Sequence, residues 1–187
     1  MFLTLAQQRR TIYQFTSQPV EAEKLTYCLQ AAIWAPNHGL TQPWHFYVVG
    51  DKTKQKLTEV YATTRAAKRA KENTTEYDDI YAKACDRFLA NPQVVVVGQQ
   101  RCNDPIQTKE DYAACACAIQ NFQLAAWEQG IGVQWSSGPI INEQQTYQIL
   151  GLDSQQIELI GILYIGYAEC VPDSTRKPLS EVVSYID

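Results

Sequence analysis

The sequence predicts one α+β domain built on a central mixed β-sheet with helices on its faces, and three observations carry that reading. Residues 93–98 and 159–167 are apolar runs without alternation, as expected of strands buried on both faces. Segments with helical spacing separate these and the other strand-like runs, and no linker, internal repeat or low-complexity block interrupts the 187 residues. Neither a G-x-G-x-x-G after a strand nor a G-x-x-x-x-G-K occurs, which counts against a doubly wound parallel sheet. An apolar content of 45% supplies a core for a chain of this length.

Taken in order, residues 4–10 suit a short helix. Residues 21–34 place Leu25, Cys28, Leu29, Ala32 and Ile33 at helical spacing, with Pro19 at the mouth and acids in the first turn, so a core helix is expected. Pro36 stops it. Pro43 disfavours the helical region for Gln42 and is expected to hold that residue extended. A strand follows over 45–49. A helical stretch begins at Asp51 with Leu57, Val60, Tyr61 and Thr64 on one side and continues as a charged region to about residue 75. Residues 76–89 recover the pattern through Tyr77, Ile80, Tyr81, Ala84 and Phe88, and Asn91-Pro92 ends it. Asn103, Asp104 and Pro105 read as loop, and 109–129 is the longest helical pattern, rich in alanine and closed by Gly130. Gly130 and Gly132 lie beside a strand leading into Ser136, where they permit close backbone approach to a ligand, against the simpler reading of turn residues. Residues 142–150 read as a helix with Asn142 as its N-cap and Gly151 at its end. In the tail, Val182, Val183 and Tyr185 suggest a further strand, against the simpler reading of a frayed end.

A net charge of −4 and an isoelectric point near 5.2 count against nucleic acid as a partner. The one basic cluster, Arg65, Lys68, Arg69 and Lys71, reads as a solvated helix face. No apolar run approaches the roughly 20 residues of a membrane span, and the first residues show no leader pattern, so a cytoplasmic location is expected. Six cysteines without that pattern suit reduced, mostly buried thiols. No C-x-x-C occurs and Cys115-x-Cys117 points to two sides of a helix, so no metal site is expected.

Two stretches carry chemistry. Between the prolines, Asn37, His38, Thr41 and Gln42 offer amide, imidazole and hydroxyl groups beside Trp34 and Trp44, a combination suited to a planar heterocycle with hydrogen-bonding edges. Near the start, Arg9, Arg10 and Thr11 bring two guanidinium groups and a hydroxyl that can grip a phosphate.

The first stretch resembles the A-P-x-x-x-x-x-Q-P-W-x-F signature of the nitroreductase family of flavin enzymes, from Ala35 to Phe46. Arg9-Arg10-Thr11 is similar to that family's R-R-S opening, with Tyr13 where a further arginine is usual. Arg176-Lys177-Pro178 is similar to its closing R-K-P. The resemblance implies a nitroreductase-like, mainly antiparallel sheet with a C-terminal tail exchanged in a homodimer, and FMN at the subunit interface. Arg9, Arg10, Thr11, Arg176 and Lys177 would hold the phosphate, and His38, Gln42, Trp135, Ser136 and Ser137 would meet the ring and ribityl atoms. Leu40 stands where many relatives carry an asparagine, with His38 supplying polarity instead. The long helix would lie at the dimer interface. Residues 66–86 fall where the family has a variable excursion over the substrate pocket, and a lid and a plain helix pair both remain open.

The activity implied is reduction of nitroaromatic, quinone or related acceptors by NADH or NADPH in a ping-pong cycle, with no side chain required as nucleophile or base. A non-catalytic flavin-binding protein on the same scaffold, or a flavin dehydrogenase or flavin-fragmenting enzyme, stays open beside it.

Overall fold

The structure, a computed structural model, describes residues 1–186. Along the chain come α1 (Phe2–Gln8), α2 (Ala22–Ala32), β1 (Trp44–Val49), α3 (Asp51–Ala67), α4 (Thr75–Leu89), β2 (Gln93–Gln100), α5 (Pro105–Glu128), β3 (Gly132–Ser136), α6 (Gln144–Leu150) and β4 (Ile157–Gly166). The four strands form one sheet in the order β1-β2-β4-β3, and every neighbouring pair is antiparallel. The mixed character expected of the sheet reduces to one parallel bridge, Thr11 with Val133.

The two continuous apolar runs are the two central strands, as burial on both faces requires. Alternation along β2 divides the core. Val95 and Val97 face Leu25 and Cys28 of α2 and Ile119 and Phe122 of α5, whereas Val94 and Val96 face Leu57, Val60 and Phe88 of α3 and α4. Among the described residues no helix is long and apolar enough to cross a membrane.

Several local expectations give way to local chemistry. The long helix starts at Pro105 rather than in the following turn, because Asp104 accepts a 2.9 Å hydrogen bond from the Ile106 amide and proline suits the first helical position. The charged stretch after α3 is a short turn, and Thr74 caps α4 by accepting from the Tyr77 amide at 3.2 Å. Asn142 is not an N-cap. It ends a 3-10 turn over Pro139–Asn142, which Thr146 secures by donating to the Ile140 carbonyl at 2.7 Å. No strand forms in the described part of the tail, where a 3-10 turn covers Leu179–Glu181 and Val182, Val183 and Tyr185 stand exposed. Among the described residues the tail beyond Ala168 pairs with no strand of its own chain. The thiols are free, but only Cys28 and Cys115 are buried, and burial pushes them up to about 11 and about 12.

The two termini meet through backbone pairing. The Thr16 amide donates to the Tyr167 carbonyl at 2.9 Å and the Glu169 amide to the Gln14 carbonyl at 3.0 Å, so the segment after α1 lies beside the chain leaving β4. Further back, the Ile12 amide donates to the Val133 carbonyl at 3.2 Å. Gly132 permits this: a Cβ there would stand 2.4 Å from Ile12 Cγ1 and 2.8 Å from its Cβ. Gly132 is therefore a strand residue that admits a neighbouring chain, and the turn belongs to Gly130, whose φ is +75°.

Candidate active site

Because Ile12 is pinned over Gly132, the residues before it are carried past the start of β3, and the returning tail is carried to the same place. The result is a small pocket of about 180 Å³ lined by Arg9, Arg10, Thr11, Tyr13, Pro172, Asp173, Ser174 and Arg176. Arg9 donates to Gln123 of α5 at 3.3 Å, Arg10 donates to the Arg9 carbonyl at 3.0 Å, and Arg176 donates to the Thr175 carbonyl at 2.8 Å and to the Ser174 hydroxyl. Among the described residues none of the three guanidinium groups lies within 4.0 Å of a carboxylate. Burial, then the like charges of Arg176 and Arg10, pull the Arg9 guanidinium below its ordinary value. Asp173 also lines the pocket but pairs with none of them, and three clustered guanidinium groups without a contacting carboxylate suit an anion.

Tyr13 also lines a larger cleft of about 800 Å³. Its floor is the end of β3, from which Gln134 and Ser136 face inward, together with Gly138, Pro139 and Ile140. One wall is α3, which presents Tyr61, Thr64 and Arg65, continued by Lys68 and Arg69 of the turn after it, and the end of α4 adds Arg87 and Phe88. Tyr164 lies against this wall. Burial is the main cause that raises its phenol, opposed by the charges of Arg87 and Arg65. The basic cluster expected to be a solvated face thus lines the cleft, apart from Lys71. Its signal was present in the sequence, since 61, 64, 65 and 68 recur at helical spacing, but spacing alone does not say what lies opposite.

The residues expected at a site divide into those this chain gathers and those it keeps apart. Arg9, Arg10, Thr11 and Arg176 share the pocket, and Ser136 lies in the adjoining cleft. Ser137 and Lys177 are exposed and line neither. Trp135 turns to the opposite face of β3 and packs against the core, into room left by Gly161, where a Cβ would stand 2.1 Å from its Nε1.

His38 and Gln42 line neither cavity. Their loop is tied to the other part of α5, where Thr41 donates to the buried Asp111 carboxylate at 2.7 Å. From Asp111 to Gln123, the residue that Arg9 contacts, is about 18 Å along the helix at 1.5 Å per residue. The loop also feeds β1, the sheet edge opposite β3, about 14 Å away across three strand spacings. The bend is tight: Gly39, Leu40 and Gln42 have φ of 60°, 56° and 45°. Gln42 is therefore not extended as expected. Its amide donates to Asn37 Oδ1 at 3.0 Å, and the closed turn outweighs the preference set by Pro43. Trp34 is 84% exposed and Leu40 78%, whereas Trp44 belongs to the core and offers no face to a ligand.

An antiparallel sheet between helical layers, with a guanidinium pocket that shares Tyr13 with a basic, aromatic-walled cleft, defines an α+β domain with two adjoining cavities at one edge of the sheet. The chain belongs to the nitroreductase family, whose model matches residues 6–167. A nitroreductase-like family protein from Bacillus cereus is 32% identical in its crystal structure, over 100% of this chain and 96% of its own, with a TM-score of 0.87. YfhC of Bacillus subtilis, provisionally named an NAD(P)H nitroreductase, is 31% identical over 92% of this chain and 87% of its own length. A provisionally named nitroreductase from Desulfovibrio desulfuricans, crystallised in complex with FMN, is 26% identical, covers 99% of this chain and 96% of its own, and has a TM-score of 0.73.

Proposed function

We propose that the chain is an FMN-dependent oxidoreductase that passes electrons from NADH or NADPH to nitroaromatic, quinone or related acceptors in a ping-pong cycle, as a homodimer in the cytoplasm. The observation that carries this reading is the guanidinium pocket, which demands an anion and joins through Tyr13 a cleft large enough for a flat ring system. The residues fit the cofactor. Arg9, Arg10 and Arg176 would neutralise its phosphate, with the Thr11 hydroxyl beside them. Bound FMN would supply the acceptance and return of a hydride.

The protein's share is placement and field. Gln134 and Ser136 offer an amide and a hydroxyl from β3 to the polar edge of the ring. Arg65 and Arg87 add positive potential on the same side of the cleft, which favours a reduced, negatively charged ring system. Phe88 and Tyr61, packed 5.1 Å apart, exclude water from that wall. No side chain in the cleft is asked to act as nucleophile or base.

The separation of His38 and Gln42 from this cleft supports the dimer. A second copy would bring its own loop to the ring, where His38 would act as a hydrogen-bonding partner ahead of any role in proton donation. Trp34, Leu40, Ile106 and Tyr112 stand exposed on the loop side, and Leu179, Val182 and Tyr185 on the tail, a supply of apolar surface that an isolated subunit rarely leaves bare. The tail would pack on that second copy.

The test is anaerobic. Purified protein should be yellow, should bleach when NADPH or NADH is added, and should recover its colour on addition of a nitroaromatic or quinone. A spectrum unmoved by both nucleotides would leave the flavin-binding assignment standing and remove the enzyme.

A further inference from the structure

FMN has one phosphate, and the pocket of Arg9, Arg10 and Arg176 accounts for it. A second group of cations is then left over. Tyr61, Thr64, Arg65, Lys68 and Arg69 follow one face of α3 into the turn beyond it, and all line the larger cleft. Arg65 is steadied over the Tyr61 ring, 5.9 Å from its centroid. Lys68 and Arg69 are exposed farther along the same face. In a chain of net charge −4, none of the three has a carboxylate within 4.0 Å among the described residues, and Glu169 is the only acid that lines the cleft with them. Helix C-termini favour cations, which accounts for basic residues in the last turn of α3. It does not account for their gathering on the cleft side without acidic partners.

We propose that Lys68 and Arg69, with Arg65 behind them, form an anion subsite for the molecule that visits the ring. A phosphate monoester or a carboxylate on that visitor is received there. The enzyme consequently discriminates in favour of NADPH over NADH, or of anionic over neutral acceptors. The inference rests on the flavin reading above and deepens it. The contact is screened by salt, because Lys68 and Arg69 are exposed and the Debye length at physiological ionic strength is about 8 Å.

The experiment compares the flavin-loaded wild type with a Lys68→Gln/Arg69→Gln variant, using NADPH against NADH and 4-nitrobenzoate against nitrobenzene. The readout in each pair is the ratio of kcat/KM for the member with the additional anionic group to the member without it. In the wild type at low salt at least one ratio should exceed about tenfold, and it should collapse toward one in the variant and at high salt, with FMN content unchanged. Loss of the nucleotide ratio alone assigns the anion to the reductant, and loss of the nitrobenzoate ratio alone assigns it to the acceptor. Wild-type ratios near one, or ratios that survive the double substitution, overturn the proposal. If the chain binds no FMN, the flavin reading fails separately. Calorimetry with adenosine 2′,5′-bisphosphate against 5′-AMP then decides the subsite: a preference lost in the variant upholds it, and no preference overturns it.

Discussion

The guanidinium pocket and the Asn37–Gln42 loop are both polar, both near α5 and both matched to the same family signature, yet they are built in opposite ways. The pocket is finished within one chain: Ile12 locks onto Gly132, Gln14 and Thr16 pair with the chain leaving β4, and three guanidinium groups converge. The loop is equally well fixed, by Asn37 and by Asp111, but its His38 and Gln42 line neither the pocket nor the cleft. Rigid placement of a polar group where it has nothing to bind is intelligible if another copy supplies the ligand. The pocket's strain is electrostatic, with the like charges of Arg176 and Arg10 acting on the part-buried Arg9. That of the loop is conformational, with Leu40 and Gln42 held at positive φ at a cost of about 1–3 kcal/mol each.

The largest expected effect breaks the comparison directly. An Arg9→Gln/Arg176→Gln chain and a His38→Ala/Gln42→Ala chain should each be nearly inactive. Mixed and allowed to exchange subunits, they should recover about a quarter of wild-type activity, because half the dimers are hybrids with one intact site of two. Failure to complement, with hybrids demonstrated by native mass spectrometry, would show that both halves must come from one chain.

Next in size, Arg176→Gln alone should weaken FMN binding roughly tenfold or more, the scale of one charge-assisted contact, as measured by flavin fluorescence. The loop should be unaffected. Gly132→Ala should act on the pocket from behind. With Cβ 2.4 Å from Ile12 Cγ1 and 2.8 Å from its Cβ, the N-terminal segment must shift, at a cost of about 1–3 kcal/mol in stability and a weaker hold on FMN. Unchanged FMN affinity in Gly132→Ala would detach the pocket from the Ile12 contact.

Cysteine labelling should show a subtler difference. Cys117 and Cys170 are both exposed in one chain, but Cys117 sits on the exposed side of α5. At concentrations that favour the dimer Cys117 should react slowly with a thiol reagent and Cys170 quickly, and dilution should equalise them. Buried Cys28 and Cys115, pushed up to about 11 and about 12, should stay silent in both states.

The smallest effect concerns the place where the termini meet. Tyr167 donates to Glu21 at 2.5 Å, and that bond is the main cause lowering the Glu21 carboxyl from its ordinary 4.5. A carboxyl lowered by folding contributes stability that is present above its unfolded value and lost as pH falls through the folded one. Tyr167→Phe should therefore be slightly less stable at neutral pH, with a melting-temperature gap that closes as the pH is taken well below 4.5. A gap independent of pH would assign the effect to packing.

The elements themselves were legible because each rests on interactions near in sequence. Continuous apolar runs mark β2 and β4 as central, helical spacing marks α2, α4 and α5, and Gly130 and Gly151 mark helix ends. Misreadings fell where a short-range rule met a competing partner: Asp104 and Pro105 became a helix start, Asn142 joined a turn, and Gln42 left the extended region for Asn37. Arg65, Lys68 and Arg69 were visible as a cluster, but what a helix face opposes depends on elements far along the chain. Only packing brings β3, residues 13–15 and α3 around one cavity.

By itself, then, the sequence determined the order and kind of the elements, the buried strands, and the family to which its separated motifs point, since these depend on periodicity, capping and residue identity. Tertiary structure alone decided that Lys177 stays outside the pocket Arg176 shares with Arg9, that Gly132 is there to admit Ile12, that Trp135 faces the core, and that His38 and Gln42 lie on the far side from the pocket. These are distances between residues remote along the chain, set by sheet order and by which surfaces close on one another, and no local pattern encodes them.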